Sequence, residues 1–69
     1  MRYYINKNRS NPGNNNEVHT EVCRYLPEPR NREYLGVFSN GDTAVRYAKS
    51  IGYYNADGCF YCCREAHRG

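Results

Sequence analysis

The residues of this chain best suited to coordination chemistry are its four cysteines and two histidines, and all six fall into two short clusters. The first is His19-Thr20-Glu21-Val22-Cys23. The second is Cys59-Phe60-Tyr61-Cys62-Cys63-Arg64-Glu65-Ala66-His67. Soft nitrogen and sulfur donors gathered near two ends of a short chain are what a structural zinc site needs. Zinc takes four donors in a tetrahedron, at ~2.3 Å to sulfur and ~2.1 Å to nitrogen, so two donors on one ion lie within about 4 Å of each other. Cys59-x-x-Cys62 meets that demand if the chain turns between them, and Asp57-Gly58 in front supplies the freedom to turn. His19-x-x-x-Cys23 is a looser spacing. In a straight strand its ends would lie ~13 Å apart, so the strand carrying His19 must end at about Thr20. Cys63 and His67 are four apart and would share one face of a helical turn. Six candidate donors exceed four positions. The first choice is His19, Cys23, Cys59 and Cys62. The second exchanges His67 for His19, and a third uses both histidines with two cysteines.

The same residues have other uses. Cys23 bridged to Cys59, Cys62 or Cys63 would staple the two ends, and closing that loop would contribute roughly 4 kcal/mol. A metal would contribute ~10–16 kcal/mol and would engage the histidines too. Free thiols can also pack as small apolar groups. A catalytic zinc would keep one position open and need a base such as Glu21 or Glu65. No carboxylate stands at a diagnostic spacing for that, and so short a chain has little room for a substrate cleft. The expectation is therefore that the protein is not an enzyme.

Something must position these donors. With 69 residues the chain has room for one small domain, 1–69, whose core is marginal. Its larger apolar residues are Ile5, Val18, Val22, Leu26, Leu35, Val37, Phe38, Val45, Ile51 and Phe60, with no tryptophan, and eight tyrosines supply much of the remaining area. Such a core benefits from a crosslink, which suits the metal-stapled reading.

Residues 3–7 read as a first strand, the Asn-rich stretch 8–16 with Pro12-Gly13 as a turn or loop, and 17–20 as a short second strand pairing back on the first. Two prolines in Leu26-Pro27-Glu28-Pro29 make that segment a connection. Residues 32–38 read as a third strand, with the adjacent Tyr34 and Leu35 allowing burial on both faces and Gly36 marking a bulge or a close backbone approach. Ser39 as a hydroxyl N-cap with Asp42 three residues on opens a helix at about 40–51. Ala44, Val45, Ala48 and Ile51 repeat at helical spacing, and Gly52 closes it in left-handed conformation. Residues 55–58 read as a turn delivering Cys59, and 62–67 as a helical turn or two. The expected fold is α+β: a small antiparallel sheet of about three strands, one main helix and a C-terminal Cys-rich knuckle.

The formal charge is +3 and the pI about 8.8, with the basic residues scattered. That mild excess does not by itself mark a nucleic-acid binder. No stretch approaches the ~20 apolar residues of a membrane span, so no membrane partner is expected. The N-terminus lacks the apolar core of a signal peptide. The expected compartment is the cytoplasm, where cysteines more often hold metal than form disulfides.

The ordered pattern His19-Thr20-x-x-Cys23-x-Tyr25-Leu26-Pro27, Leu35-Gly36-x-Phe38, Ala44-Val45-x-x-Ala48-Lys49 and Asp57-Gly58-Cys59-x-Tyr61-Cys62-Cys63-x-x-x-His67 resembles a family of short uncharacterised bacterial proteins. The resemblance covers most of the chain from His19 onward. In that family a further cysteine often precedes the last histidine. Ala66 stands there in this chain, which weakens a ligand role for Cys63 and His67. More distantly, Gly52-Tyr53 and Cys59-Phe60-Tyr61-Cys62 are similar in order to the small N-terminal zinc domain of Ada-type DNA-alkyl repair proteins. That likeness implies a zinc-stabilised α+β domain, in some cases DNA-contacting. Alkyl transfer does not carry over, because its site has four cysteines and His19 takes one of those places here. The expected function is a small zinc-binding structural or interaction module with a nucleic acid or protein partner. The alternatives are a disulfide-stapled extracellular domain, and a nucleic-acid-binding accessory domain in which Tyr3, Tyr53 or Tyr54 stacks bases beside Arg46 and Lys49.

Overall fold

The computed structural model describes residues 1–9 and 13–68. The fold is α+β, with one helix on a mixed sheet of four strands, ordered β3-β1-β2-β4. The strands are β1 (Arg2–Asn6), β2 (Asn16–Thr20), β3 (Arg32–Val37) and β4 (Ala56–Gly58), and the helix is α1 (Gly41–Ser50). The first three strands and the helix fall within a residue or two of their expected bounds. Pro12, expected in the turn before β2, lies outside the described residues. Asn14 behind it has a φ of 59°, the left-handed conformation asparagine tolerates.

β1 alternates as a half-buried strand should. Tyr3 and Ile5 point to the helix side, while Tyr4 on the other face packs on Tyr34 with ring centroids 5.3 Å apart. β1 is antiparallel to both β2 and β3, and the register against β3 shifts between Tyr3 and Tyr4. Tyr3 faces Gly36 and Tyr4 faces Tyr34, so Leu35 is the extra residue of a bulge. Gly36 permits it with a φ of 130°, which a side chain would strain. The bulge buries Leu35 and leaves Tyr34 exposed, so β3 is not buried on both faces as its adjacent apolar pair suggested.

The fourth strand corrects the expected three-stranded antiparallel sheet. Residues 56–58 pair parallel to β2, with Asn16 opposite Ala56, Glu17 opposite Asp57 and Val18 opposite Gly58. Asp and Gly are poor strand formers, and here tertiary pairing overrides propensity. Gly58 is required for a second reason. A Cβ there would stand 2.5 Å from the Cys63 carbonyl oxygen and 2.8 Å from the Ala66 Cβ. The C-terminal segment is therefore seated directly on β4.

Asn40, not Ser39, caps α1, its Oδ1 accepting the Thr43 N–H at 2.9 Å. With Gly41 as the first helical residue, only position 40 can reach the N–H three residues on. The first helical N–H, that of Gly41, is taken by the Glu65 carboxylate at 2.8 Å, from the short 3₁₀ turn Arg64–Ala66 that closes the chain. At the other end Gly52 donates to the Lys49 carbonyl and Tyr53 to that of Ala48, with Gly52 at φ 112°. This is a Schellman cap. Ala44, Val45 and Ala48 face the sheet, where they meet Tyr3, Ile5, Val18, Leu35, Ala56, Cys63 and Ala66. Ile51 lies past the last helical residue and is exposed, outside the core expected for it. Among the described residues no helix is long and apolar enough to cross a membrane.

Candidate metal centre

β2 ends at Thr20, where the spacing of His19 and Cys23 demanded that it end. The chain then turns back at once, the Cys23 N–H bonding to the Thr20 carbonyl at 3.2 Å. On the other side β4 runs out into Cys59, whose N–H continues the parallel ladder to Val18 O at 2.9 Å. The chain then curls through Phe60 and Tyr61 until the Cys63 N–H reaches the Cys59 carbonyl at 2.9 Å. Two adjacent strands thus end side by side, and each ends in a tight cysteine-bearing turn.

The result is a compact donor set. The ligand atoms of His19, Cys23, Cys59 and Cys62 all lie within 4.8 Å of one another, so this group could hold a metal ion. Cys23 Sγ is 3.9 Å from Cys59 Sγ and 3.5 Å from His19 Nδ1. A tetrahedral zinc with ordinary bond lengths separates sulfur from sulfur by about 3.8 Å and sulfur from nitrogen by about 3.6 Å. All four cysteines are free thiols.

The backbone around the cluster is arranged to receive thiolates. Cys23 Sγ accepts the Tyr25 N–H at 3.4 Å, and Cys62 Sγ accepts the Thr20 N–H at 3.3 Å. Cys59 accepts from the backbone of Cys62 and Tyr61. Three sulfurs carrying full negative charge would exceed the charge of one divalent ion, and such donors offset the surplus.

His19 is fully buried, with Nδ1 toward the sulfurs and Nε2 3.6 Å from Glu17 Oε1. An imidazole that ligates through one nitrogen commonly meets a carboxylate with the other, which sets the tautomer and raises its basicity. Glu17 was not singled out from the sequence. The available signal was its place two residues before His19, on the same face of a strand.

Burial pushes the Cys59 thiol up to about 12, against the partial relief of its two backbone donors. The Cys62 thiol is raised, first by its contact with the Cys63 sulfur and then by burial, and burial raises Cys23. Without a cation the pocket thus favours neutral thiols. A bound divalent ion reverses that preference, because a coordinating thiol is deprotonated outright.

The two remaining sequence candidates stand apart. Cys63 is fully buried and belongs to the apolar core, its sulfur touching Cys62 Sγ at 3.8 Å but lying outside the four-residue group. His67 Nδ1 is 3.0 Å from the Gly58 carbonyl oxygen and 3.3 Å from Asp57 Oδ2, and its ring packs edge-on against Phe60. Its work is to seat the C-terminal turn on β4. Of the tyrosines considered as base-stacking groups, Tyr3 is buried in the core, the Tyr53 hydroxyl donates to Glu33 at 2.6 Å, and Tyr54 is exposed.

No family model, curated protein or solved structure matches the chain.

Proposed function

We propose that the protein is a small zinc-binding structural or interaction module, with His19, Cys23, Cys59 and Cys62 as the ligands. One observation carries the reading: three thiols and an imidazole from two distant stretches of chain converge with their ligand atoms within 4.8 Å of one another. Thiolate and imidazole donors favour zinc over magnesium, calcium or manganese, which take oxygen. Four protein donors close a tetrahedron and leave no position for a substrate or an activated water, so the ion is structural. It ties the turn after β2 to the knuckle after β4. A bond worth ~10–16 kcal/mol in structural zinc sites is comparable to the whole stability of an ordinary domain, ~5–15 kcal/mol. Folding of so small a core then depends on the metal.

Metal analysis of freshly purified protein should find one zinc per chain. Thiol titration under denaturing, non-reducing conditions should count all four cysteines, and a chelator should unfold the protein. Metal-free protein with two or fewer thiols would replace the reading with a disulfide-stapled one.

A further inference from the structure

The two turns that bring the ligands together also carry an ordered row of side chains on their outer surface. Arg24 lies over the Tyr25 ring at 5.6 Å, and Tyr25 packs on Tyr61 with centroids 4.7 Å apart. Tyr61 meets Phe60 edge-on at 5.2 Å, and Arg64 lies over Phe60 at 4.7 Å. Cation, three aromatic rings and cation follow one another across the gap between the turns. Tyr25, Phe60 and Tyr61 are 49%, 45% and 65% exposed, and Val22, in the turn that follows β2, is 76% exposed. These rings stand in water while the small side chains of Ala44, Ala48, Ala56 and Ala66 occupy places in the core. Exposed aromatic clusters of this kind mark binding surfaces.

The charges say what kind of partner fits. Both ends of the row are guanidinium groups. The carboxylates of the same turns are engaged elsewhere: Glu21 pairs with Arg2 at 3.4 Å, and Glu65 takes the Gly41 N–H. The partner is therefore anionic and offers flat apolar faces. We propose that this row is a stacking platform for single-stranded nucleic acid, with a base on Tyr61, the most exposed of the three rings, Tyr25 held between Arg24 and Tyr61 as its backing, and phosphates against Arg24 and Arg64. Unstacked bases present π-faces to exposed rings, whereas duplex bases hide theirs. The proposal rests on the metal reading. Tyr25 is tied to Cys23 through the N–H···S bond, and Tyr61 lies between Cys59 and Cys62, so one ion across those sulfurs sets the spacing of the rings.

The test is fluorescence anisotropy of zinc-loaded protein titrated into a labelled single-stranded oligonucleotide, with the matching duplex and a salt series. Binding to the single strand should exceed that to the duplex and weaken with salt. Tyr25→Ala and Tyr61→Ala should each lower affinity roughly 5- to 100-fold. Arg24→Gln and Arg64→Gln should each reduce the salt slope by about 0.7. Arg46→Ala and Lys49→Ala, on α1, should leave binding unchanged. Zinc content is measured on every sample. Zinc-loaded protein that binds no oligonucleotide at low salt overturns the platform alone, and an acidic protein face becomes the partner class to examine. Binding that survives Tyr61→Ala but not Lys49→Ala also overturns it. A chain that holds no zinc refutes the metal reading, and oligonucleotide binding unaffected by chelation refutes the metal's role in spacing the rings.

Discussion

Replacing Glu17 by glutamine probes the centre without touching a ligand. Glutamine keeps the size and an acceptor oxygen and removes the charge facing His19 Nε2 at 3.6 Å. Two full unit charges at that separation, in an effective dielectric of about 20, would interact by about 5 kcal/mol. Only a fraction of the metal's charge reaches the far side of an imidazole ring. The expected loss is therefore about 1.4–2.7 kcal/mol, which is a ten- to hundredfold weaker metal affinity, the range seen when outer-shell carboxylates are removed. Because folding depends on the metal, the weaker binding should also appear as a loss of about the same size in the stability of the metal-loaded protein. The assay is competition against a chromogenic chelator at neutral pH, with denaturant unfolding of the metal-loaded protein alongside. An affinity within about twofold of the parent would refute the argued role of the carboxylate. So would a metal-loaded protein whose stability is unchanged by the substitution.

Three further outcomes follow from the geometry. Cys62→Ala should abolish metal binding, whereas Cys63→Ala should keep one metal per chain and cost about 1–2 kcal/mol of packing, both read by metal analysis and thermal melts. Gly58→Ala should destabilise by about 1–3 kcal/mol or more, because the new Cβ meets the Cys63 carbonyl at 2.5 Å and backbone cannot step aside; an unchanged melting temperature would show that the C-terminal turn is not seated on β4. Burial, with the bond to Glu33 behind it, raises Tyr53 from 10.0 to about 12. A group whose folded pKa is raised stabilises fully below its unfolded value, so this contribution is present below pH 10 and lost as pH rises through about 12. Tyr53→Phe should lose about 1 kcal/mol at neutral pH and flatten that alkaline decline in a urea-unfolding series.

The bulge at Gly36 and the helix stop at Gly52 were legible because only glycine takes those φ values cheaply, whatever surrounds it. The end of β2 at Thr20 was legible for a different reason. Two donors four residues apart reach one ion only if the strand breaks between them, so the chemistry constrained the backbone. The strand at 56–58 was not legible. Its Asp and Gly read as a turn, and it becomes a strand only because β2 offers an unpaired edge. The N-cap was misread for a local reason, since Ser39 and Asn40 are both good caps and the register of the first turn chooses between them.

Residue types and spacing alone were enough to nominate six donors and to rank His19, Cys23, Cys59 and Cys62 ahead of Cys63 and His67. Which of the six stand together is decided by the parallel pairing of β2 with β4. Val18 and Gly58 sit opposite each other in that ladder, so the residues that follow them emerge side by side. Strand propensity is local, but register between segments as distant as 16–18 and 56–58 is set by the packing of the whole sheet against α1. The same pairing turns Cys63 into the core, sends His67 to the Gly58 carbonyl and lines up the rings of Tyr25 and Tyr61, none of which a linear pattern encodes.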